Sequence, residues 1–390
     1  MSKVFLSAGE TSGEHYGAQL VRAILAKDPH ADCFGLGGLR MEQLGFRRIV
    51  KAEEVAHMGI TEVIRHMPRI YAEYRRLKAS IQREKPDVAI LIDFPDVNLR
   101  LAQQLHHLGI PVIYFVSPQL WAWKKRRIER VKKYVTRMLV IFPFEVDFYR
   151  GHNVQADFVG HPLAEQALPT IAREEFAQTF GLNLRPEKQW IALLPGSRRK
   201  QIEMNLPEML RAANLLNSGE TKYEFLIPCA PGIDKSIFPP ILHAHSKVPV
   251  HFGDDARATL LHARGSIVSS GTATIDAAMM GNPFVVVYRL SKTSYAVAKR
   301  VVDVPHVAMV NLIAGRRLVP ELIQYDFTAE RIVADLAPLL IDGEPRSTMQ
   351  TGLRAVREAL LPTSTSTAIE AVADVALSYT LKQGQTTASA

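Results

Sequence analysis

The chain's 390 residues exceed one typical domain and point to two or three. Apolar residues at 47% and charged residues at 22% describe an ordinary globular protein and exclude a disordered, fibrous or disulfide-dense one. Lys plus Arg outnumbers Asp plus Glu by 47 to 39, and this net +8 favours phosphorylated substrates, polyanions or anionic membrane surfaces without indicating a fold.

The two cysteines, Cys33 and Cys229, lie far apart in apolar runs. Neither a disulfide framework nor a metal cluster is expected from them, and a reducing cytosol is. Met1-Ser2-Lys3 runs directly into a strand without a signal-type segment. No run approaches the roughly 20 apolar residues of a membrane span, so any membrane contact is expected to be peripheral.

In chain order, Val4 to Ala8 reads as a buried strand, Gly9 to Glu14 as the loop after it, and His15 to Leu25 as a helix. Such loops, at the carboxyl end of a strand, are where α/β sheets bind ligands. Cys33 to Gly38 forms a second strand and nearly spells the dinucleotide fingerprint. Arg40 stands at its last glycine position and no acidic ribose ligand follows, so NAD binding is rejected. Between Ala56 and Arg76 apolar residues alternate with arginines. Met58, Ile60, Arg65 and Arg69 there suit either a helix packed on a sheet or a surface lying on anionic lipid.

Pro86 to Ile92 is a central strand, and Asp93-Phe94-Pro95-Asp96-Val97-Asn98 follows it. Carboxylates in that place suit catalysis, although either could cap the next helix. Ile110 to Val116 is another strand, and Ser117 to Trp123 leads from it into a basic run, Lys124 to Arg137, of helical period. Nucleic-acid binding is disfavoured because that run is embedded between strands. Met138 to Ile141 and Val154 to Val159 complete a doubly wound parallel sheet. Ala164 to Glu187 reads as a connection.

Trp190 to Leu194 restarts the pattern and ends in Pro195-Gly196-Ser197-Arg198, a small-residue turn rich in cations. Phe225 to Pro228 and Val248 to Phe252 are strands. Ser266 to Val268 leads into Ser270-Gly271-Thr272-Ala273-Thr274 and a helix from Ala273 to Met280. A helix N-terminus there suits a phosphate, and Asp276 in its first turn can reach ribose hydroxyls. The last helix is expected from Thr367 to Leu381, with Gln383 to Ala390 disordered. No P-loop, HExxH or GxSxG occurs, and no metal pair stands out. Two nucleotide-type domains then suit a nucleotide-sugar transferase. Arg198 and the Ser270–Thr274 amides would neutralise the leaving pyrophosphate, and Asp96 would take the acceptor's proton.

The motifs Gly9-Glu10-Thr11-Ser12-Gly13, Asp96-Val97-Asn98-Leu99, Ser117-Pro118-Gln119-Leu120-Trp121-Ala122-Trp123 and Phe142-Pro143-Phe144-Glu145 resemble those of the lipid-A-disaccharide synthase family. Val159-Gly160-His161-Pro162-Leu163, Leu194-Pro195-Gly196-Ser197-Arg198, Ser270-Gly271-Thr272-Ala273-Thr274 and Asn311-Leu312-Ile313-Ala314-Gly315-Arg316 continue the resemblance in the family's order. It implies a GT-B glycosyltransferase: two Rossmann-like doubly wound parallel-sheet domains facing a central cleft. Residues 1–165 would be the acceptor and membrane-facing domain, rejoined by C-terminal helices at 350–390, and 185–345 the UDP-donor domain.

The implied reaction joins UDP-2,3-diacylglucosamine to 2,3-diacylglucosamine 1-phosphate with inversion, no metal and no cofactor. Its setting would be the cytoplasmic face of the inner membrane in Gram-negative bacteria, and the reading admits a homodimer. Matching assigns Glu10, Asp96 and Arg198 to catalysis. Ser197, Ser270, Gly271, Thr272, Thr274, Asp276, Asn311 and Gln324 fall to the UDP donor, and Ser12, Gly13, Asn98 and Trp123 to the acceptor side. Glu14 and Asp276 depart from the family's usual Asp and Glu. A UDP-N-acetylglucosamine 2-epimerase, a peptidoglycan glycosyltransferase and a non-catalytic lipid-phosphate binder are the alternatives.

Overall fold

Seven parallel strands form the first sheet: β1 (Lys3–Ala8), β2 (Asp32–Gly37), β3 (Arg47–Lys51), β4 (Val88–Ile92), β5 (Val112–Phe115), β6 (Arg137–Val140) and β7 (Ala156–Phe158). This computed structural model describes residues 1–54, 60–123, 125–182, 189–218, 222–230, 232–302 and 304–387, with backbone alone at 11, 12, 60–70, 125, 292 and 381–387. The strand order is β3-β2-β1-β4-β5-β6-β7, and every neighbouring pair is parallel. Helices cover both faces of such a sheet, so its central strands are apolar throughout. Every residue of β4 and β5 is buried.

The second sheet holds β8 (Gln189–Leu194), β9 (Tyr223–Pro228), β10 (Val250–Gly253), β11 (Gly265–Ser269), β12 (Phe284–Tyr288) and β13 (Glu321–Ile323). Its order is β10-β9-β8-β11-β12-β13, again all parallel. The chain divides into two compact units, Met1–Glu165 with Leu360–Ala390, and Gln166–Ala359. In each sheet the order reverses once, between β1 and β4 in the first and between β8 and β11 in the second. Ligands of open α/β sheets bind outside the carboxyl ends of the strands at such a reversal.

Several elements differ from the sequence expectation. The first helix spans Thr11–Lys27, so Thr11 to Glu14 are helical rather than loop. The basic run is not one helix: a 3₁₀ turn at Lys125–Arg127 precedes a helix at Ile128–Tyr134, and Arg137 already belongs to β6. Burial of Ile128, Val131 and Tyr134 fixes that short helix, while its cations stay near water. The last helix spans Ala368–Thr387 and so continues into the stretch from Gln383 that was expected to be disordered, whose last three residues lie outside the described ones. The Glu370 carboxylate accepts Thr367 N–H and Oγ1–H, both at 2.9 Å, and nucleates it. Once nucleated, each further residue adds a hydrogen bond at little cost. The helix packs against Thr11–Lys27, and Lys27 pairs with Asp374. No helix among the described residues is long and apolar enough to cross a membrane.

The chain leaves the first unit after Gly160-His161-Pro162-Leu163 and re-enters at Leu360. His161 N–H donates to Leu360 O at 2.8 Å, so exit and return lie side by side. Gly160 has φ +93°, and a Cβ there would fall 2.8 Å from Pro362 N. Both the backbone region and the space demand glycine. Gly160→Ala is expected to destabilise the protein by roughly 1–3 kcal/mol. A thermal-unfolding midpoint equal to that of the wild type would show that the junction yields without strain.

Candidate active site

At the reversal of the first sheet, Gly9 follows β1 and the turn Asp93-Phe94 follows β4. A Cβ on Gly9 would lie 2.4 Å from the Phe94 ring, so only glycine lets the two loops meet. Asp93 and Phe94 are consecutive non-glycine residues in left-handed backbone, at φ +45° and +48°. Buried Asn98 holds them there. Its Nδ2 donates to Asp93 O at 2.8 Å and Ile92 O at 3.1 Å, and its Oδ1 accepts from Ser7 Oγ at 2.6 Å. Tyr114 Oη adds a bond to Asp93 O at 2.7 Å. The Asn98 amide is therefore turned inward and positions the turn.

Asp93 is the titratable group of this turn. Burial, then the negative charge of Glu10, pushes its carboxyl from the ordinary aspartate range up to about 6, against a hydrogen bond from Phe94's backbone. Glu10 itself begins the Thr11–Lys27 helix in extended backbone and is exposed. Asp96 is differently placed. Its side chain is 69% exposed and forms an ion pair with Arg127. Neither aspartate caps the Pro95–His107 helix, whose N-cap is Phe94.

The remaining first-unit candidates surround this turn unevenly. Ser12 and Gly13 lie in the first turn of the Thr11–Lys27 helix, and the Ser12 side chain is outside the described residues. Glu14 Oε1 accepts Arg40 N–H at 2.9 Å, and a Cβ on Gly38 would meet its carboxyl carbon at 2.2 Å. The near-fingerprint glycine thus makes room for Glu14. Trp123 is 41% exposed. Trp121 instead donates to buried Glu145 at 3.1 Å, beside Ser117 Oγ at 2.5 Å and Phe142 N–H at 3.2 Å. Burial raises Glu145 to about 7 despite those donors. Met58 lies outside the described residues. Ile60, Arg65 and Arg69 are on the Ile60–Glu84 helix, with side chains outside them.

In the second unit, β8 ends in Pro195-Gly196-Ser197-Arg198 and neighbouring β11 in Ser269-Ser270-Gly271-Thr272. Buried Asn205 bridges them, donating to Pro195 O at 3.0 Å and Ser269 Oγ at 3.1 Å. Gly196 has φ +121° and Gly271 φ +148°, which side chains rarely adopt. Ser197 and Arg198 are exposed. Among the described residues, the amides of Ser197 to Lys200 and of Gly271 to Ala273 have no protein acceptor. These donors, with the Arg198 guanidinium, suit a diphosphate.

Thr274 Oγ1 donates to Gly271 O at 2.7 Å and braces the turn, while the Ser270 hydroxyl reaches Val307 O at 3.4 Å. Asp276 is raised to about 6 by burial, which the Arg257 charge only partly offsets. Asn311 and Gln324 are engaged internally. Asn311 Oδ1 accepts Leu318 and Val319 N–H, and its Nδ2 donates to Glu321 at 2.8 Å. Gln324 closes a two-bond ring with the Leu290 backbone at 3.0 and 3.1 Å. Both hold loops in shape. Among the described residues, no group of three or more His, Cys, Asp or Glu could hold a metal ion.

Sequence reasoning weighed Asp93 beside Asp96 and settled on Asp96, and it gave no role to Glu145 or Asn205. Asp93 shares its motif with Asp96, and only backbone conformation and burial separate them. An asparagine within a helix, as at 205, carries no signal until the two turns it ties are known.

A family model described as lipid-A-disaccharide synthetase matches residues 4–375. A lipid-A-disaccharide synthase of Acidobacterium capsulatum is 59% identical over 386 residues, covering 96% of this chain and 95% of that protein. One from Koribacter versatilis is 48% identical over 363 residues, covering 92% and 94%. Among solved structures, the glycotransferase of kitacinnamycin superposes with a TM-score of 0.62 at 14% identity, covering 97% of this chain and 98% of that one. That last likeness concerns the fold.

The raised Asp93 carboxyl has a consequence for stability. In the unfolded chain it titrates near 3.8, so at pH 8 folding buries a charge it would rather lose. Asp93→Asn removes that cost, and asparagine also tolerates left-handed backbone. The variant is expected to be more stable at pH 8, on the order of 1–3 kcal/mol. Its advantage should shrink as pH falls through about 6 toward 4, where wild-type Asp93 is protonated. Thermal unfolding across that range checks the sign, and a constant or widening gap would show that Asp93 is not buried as a carboxylate.

Proposed function

The chain belongs to the lipid-A-disaccharide synthetase family, and on that premise we propose that it transfers the sugar of UDP-2,3-diacylglucosamine to the 6-hydroxyl of 2,3-diacylglucosamine 1-phosphate. Its two Rossmann-like parallel-sheet domains are those of GT-B glycosyltransferases. The products are the β-linked disaccharide 1-phosphate and UDP. As the acceptor oxygen attacks the anomeric carbon, the glycosidic bond to the diphosphate breaks and the hydroxyl proton must leave. Each unit answers one of those demands.

The second unit takes the donor. Backbone N–H groups of Ser197 to Lys200 and of Gly271 to Ala273 cradle the diphosphate, with Arg198 neutralising charge as it builds on the leaving group. Ser270, Thr272 and Asp276 adjoin the nucleoside, and Thr274, Asn311 and Gln324 keep the loops in place. The first unit takes the acceptor and its proton, with Ser12, Gly13 and Trp123 on the acceptor side. The observation that carries the catalytic assignment is Asp93, half-buried at the sheet's reversal and raised to about 6. A base titrating just below working pH is ionised yet still basic enough to accept a proton. Glu10 supplies part of that shift. Asp96, paired with Arg127, orients the adjoining cation instead of acting as the base.

Asp93→Asn is therefore expected to lower kcat by about 10²–10⁴-fold, and Asp96→Asn by much less. Wild-type kcat/KM should fall as pH drops through about 6, because protonated Asp93 cannot accept a proton. Arg198→Ala is expected to lose about 2–4 kcal/mol of transition-state stabilisation, only partly restored by Arg198→Lys. UDP release with both lipid substrates measures all three. A damaged Asp96→Asn beside an active Asp93→Asn would return the base to Asp96, and an unaffected Arg198→Ala would remove it from the donor site.

Both substrates carry two acyl chains, which must be met at a lipid surface. The segment from Met58 into the Ile60–Glu84 helix is the membrane-facing candidate, joining apolar Met58 and Ile60 to Arg65 and Arg69. Each cation near an anionic leaflet contributes roughly 1 kcal/mol, a contribution that weakens with salt. Arg65→Glu with Arg69→Glu should reduce co-sedimentation with anionic vesicles at unchanged thermal stability. Unaltered sedimentation of the folded double variant would assign these arginines to a helix packed on the sheet.

A further inference from the structure

The second unit has a recess of about 360 Å³ at the amino ends of its strands, the end of the sheet opposite to Pro195–Arg198. Gln189, the first residue of β8, and Arg264, just before β11, line it with Arg173, Trp190, His262 and Arg346. Three guanidiniums thus share one hollow. Each is anchored on backbone oxygen: Arg173 on His262 O at 2.9 Å, Arg264 on Leu340 O at 2.9 Å, and Arg346 on Arg264 O and Leu339 O, both at 2.7 Å. Arg173 also lies 3.8 Å over the Trp190 ring.

Carbonyl anchoring fixes these groups in space and does not neutralise them. The carboxylate paired with them is Asp342, bonded to Arg264 at 2.5 Å, and its side chain is 90% exposed. Among the described residues, Arg173 Nη2, Arg264 Nη1 and Arg346 Nη2 have no protein acceptor. The Trp190 indole N–H is also buried without a partner, in a residue 1% exposed. Burial lowers the Arg173 and Arg346 pKa values, and Arg264's charge adds to the effect on Arg346; Glu174 and Asp342 offset these shifts only in part, so the cluster is incompletely compensated. Pre-fixed, forked donors around a hollow are what a multivalent oxyanion needs.

We propose that this recess is a second anion site, binding a phosphate-bearing group at the end of the unit remote from the donor loops. Inorganic pyrophosphate is the probe for a free ligand, and vesicles containing phosphatidic acid are the probe for a lipid headgroup. Calorimetric titration is run on the full chain with saturating UDP, so that the donor end is filled. Pyrophosphate binding, or vesicle association, should survive Arg198→Ala and weaken by about tenfold or more in Arg173→Gln, the usual effect of losing a charged hydrogen bond. Asp342→Asn is the second variant, chosen because an exposed side chain can be neutralised without disturbing the fold. Removing that competing carboxylate should tighten the same binding, whereas arginines that serve only as struts predict no change. Binding of either probe with this pattern supports the site, and the responding probe identifies its source. Absence of both, or binding abolished by Arg198→Ala and insensitive to Arg173→Gln and Asp342→Asn, overturns it.

Discussion

Two adjacent side-chain-bearing residues, Asp93 and Phe94, sit in left-handed backbone at the end of β4. Such conformations cost about 1–3 kcal/mol each and persist only where their surroundings impose them. Here the imposition is visible: Asn98 and Tyr114 capture Asp93 O, Asn98 also captures Ile92 O, and Gly9 leaves room for the Phe94 ring. The strain turns the chain sharply out of the sheet. Asp93 is thereby kept half-buried beside Glu10 and not released to solvent like Asp96. The acid–base character of the first unit follows from that turn.

The second unit solves a related problem with a similar part. Asn205 spans the ends of β8 and β11 as Asn98 spans those of β1 and β4. In both cases a buried amide from a helix following one of the two strands stitches the pair at the reversal of the sheet. Parallel sheets open a crevice there, and an unbraced crevice would be a flexible one. The two differ in charge. The first gathers carboxylates, and the second offers amide N–H groups and Arg198, the division that the proposed proton removal and diphosphate departure call for.

Strong periodic elements were legible in the sequence: β1, β4, β8 and β11 are apolar runs bounded by glycine, proline or aspartate, and the turns after them hold the candidate site residues. Of the edge strands, β7 and β10 were legible as well, but β3 and β13 were not. Arg47-Arg48-Ile49-Val50-Lys51 is mostly charged, because an edge strand faces water, and β13 has three residues. Side-chain direction was equally hidden. Asn311 and Gln324 stand in motifs that suggest ligand contact, yet their amides are consumed by Leu318, Val319, Glu321 and the Leu290 backbone. The choice between Asp93 and Asp96 depended on φ and burial, which no spacing encodes. Gly38 resembles part of a cofactor loop because close approach of Glu14 and close approach of a pyrophosphate ask the same of a backbone.

The side-by-side exit at His161 and return at Leu360 makes the second unit an insertion within the first. During synthesis the first 165 residues leave the ribosome before the helix that completes their sheet exists. That helix begins at Ala368 and covers Thr11–Lys27 and β4, the elements behind Gly9 and Asp93. At typical elongation rates the interval is about 10–40 s, far longer than a domain of this size needs to collapse. The nascent first unit must therefore wait with one apolar face open, and that interval is when a chaperone has most to offer it.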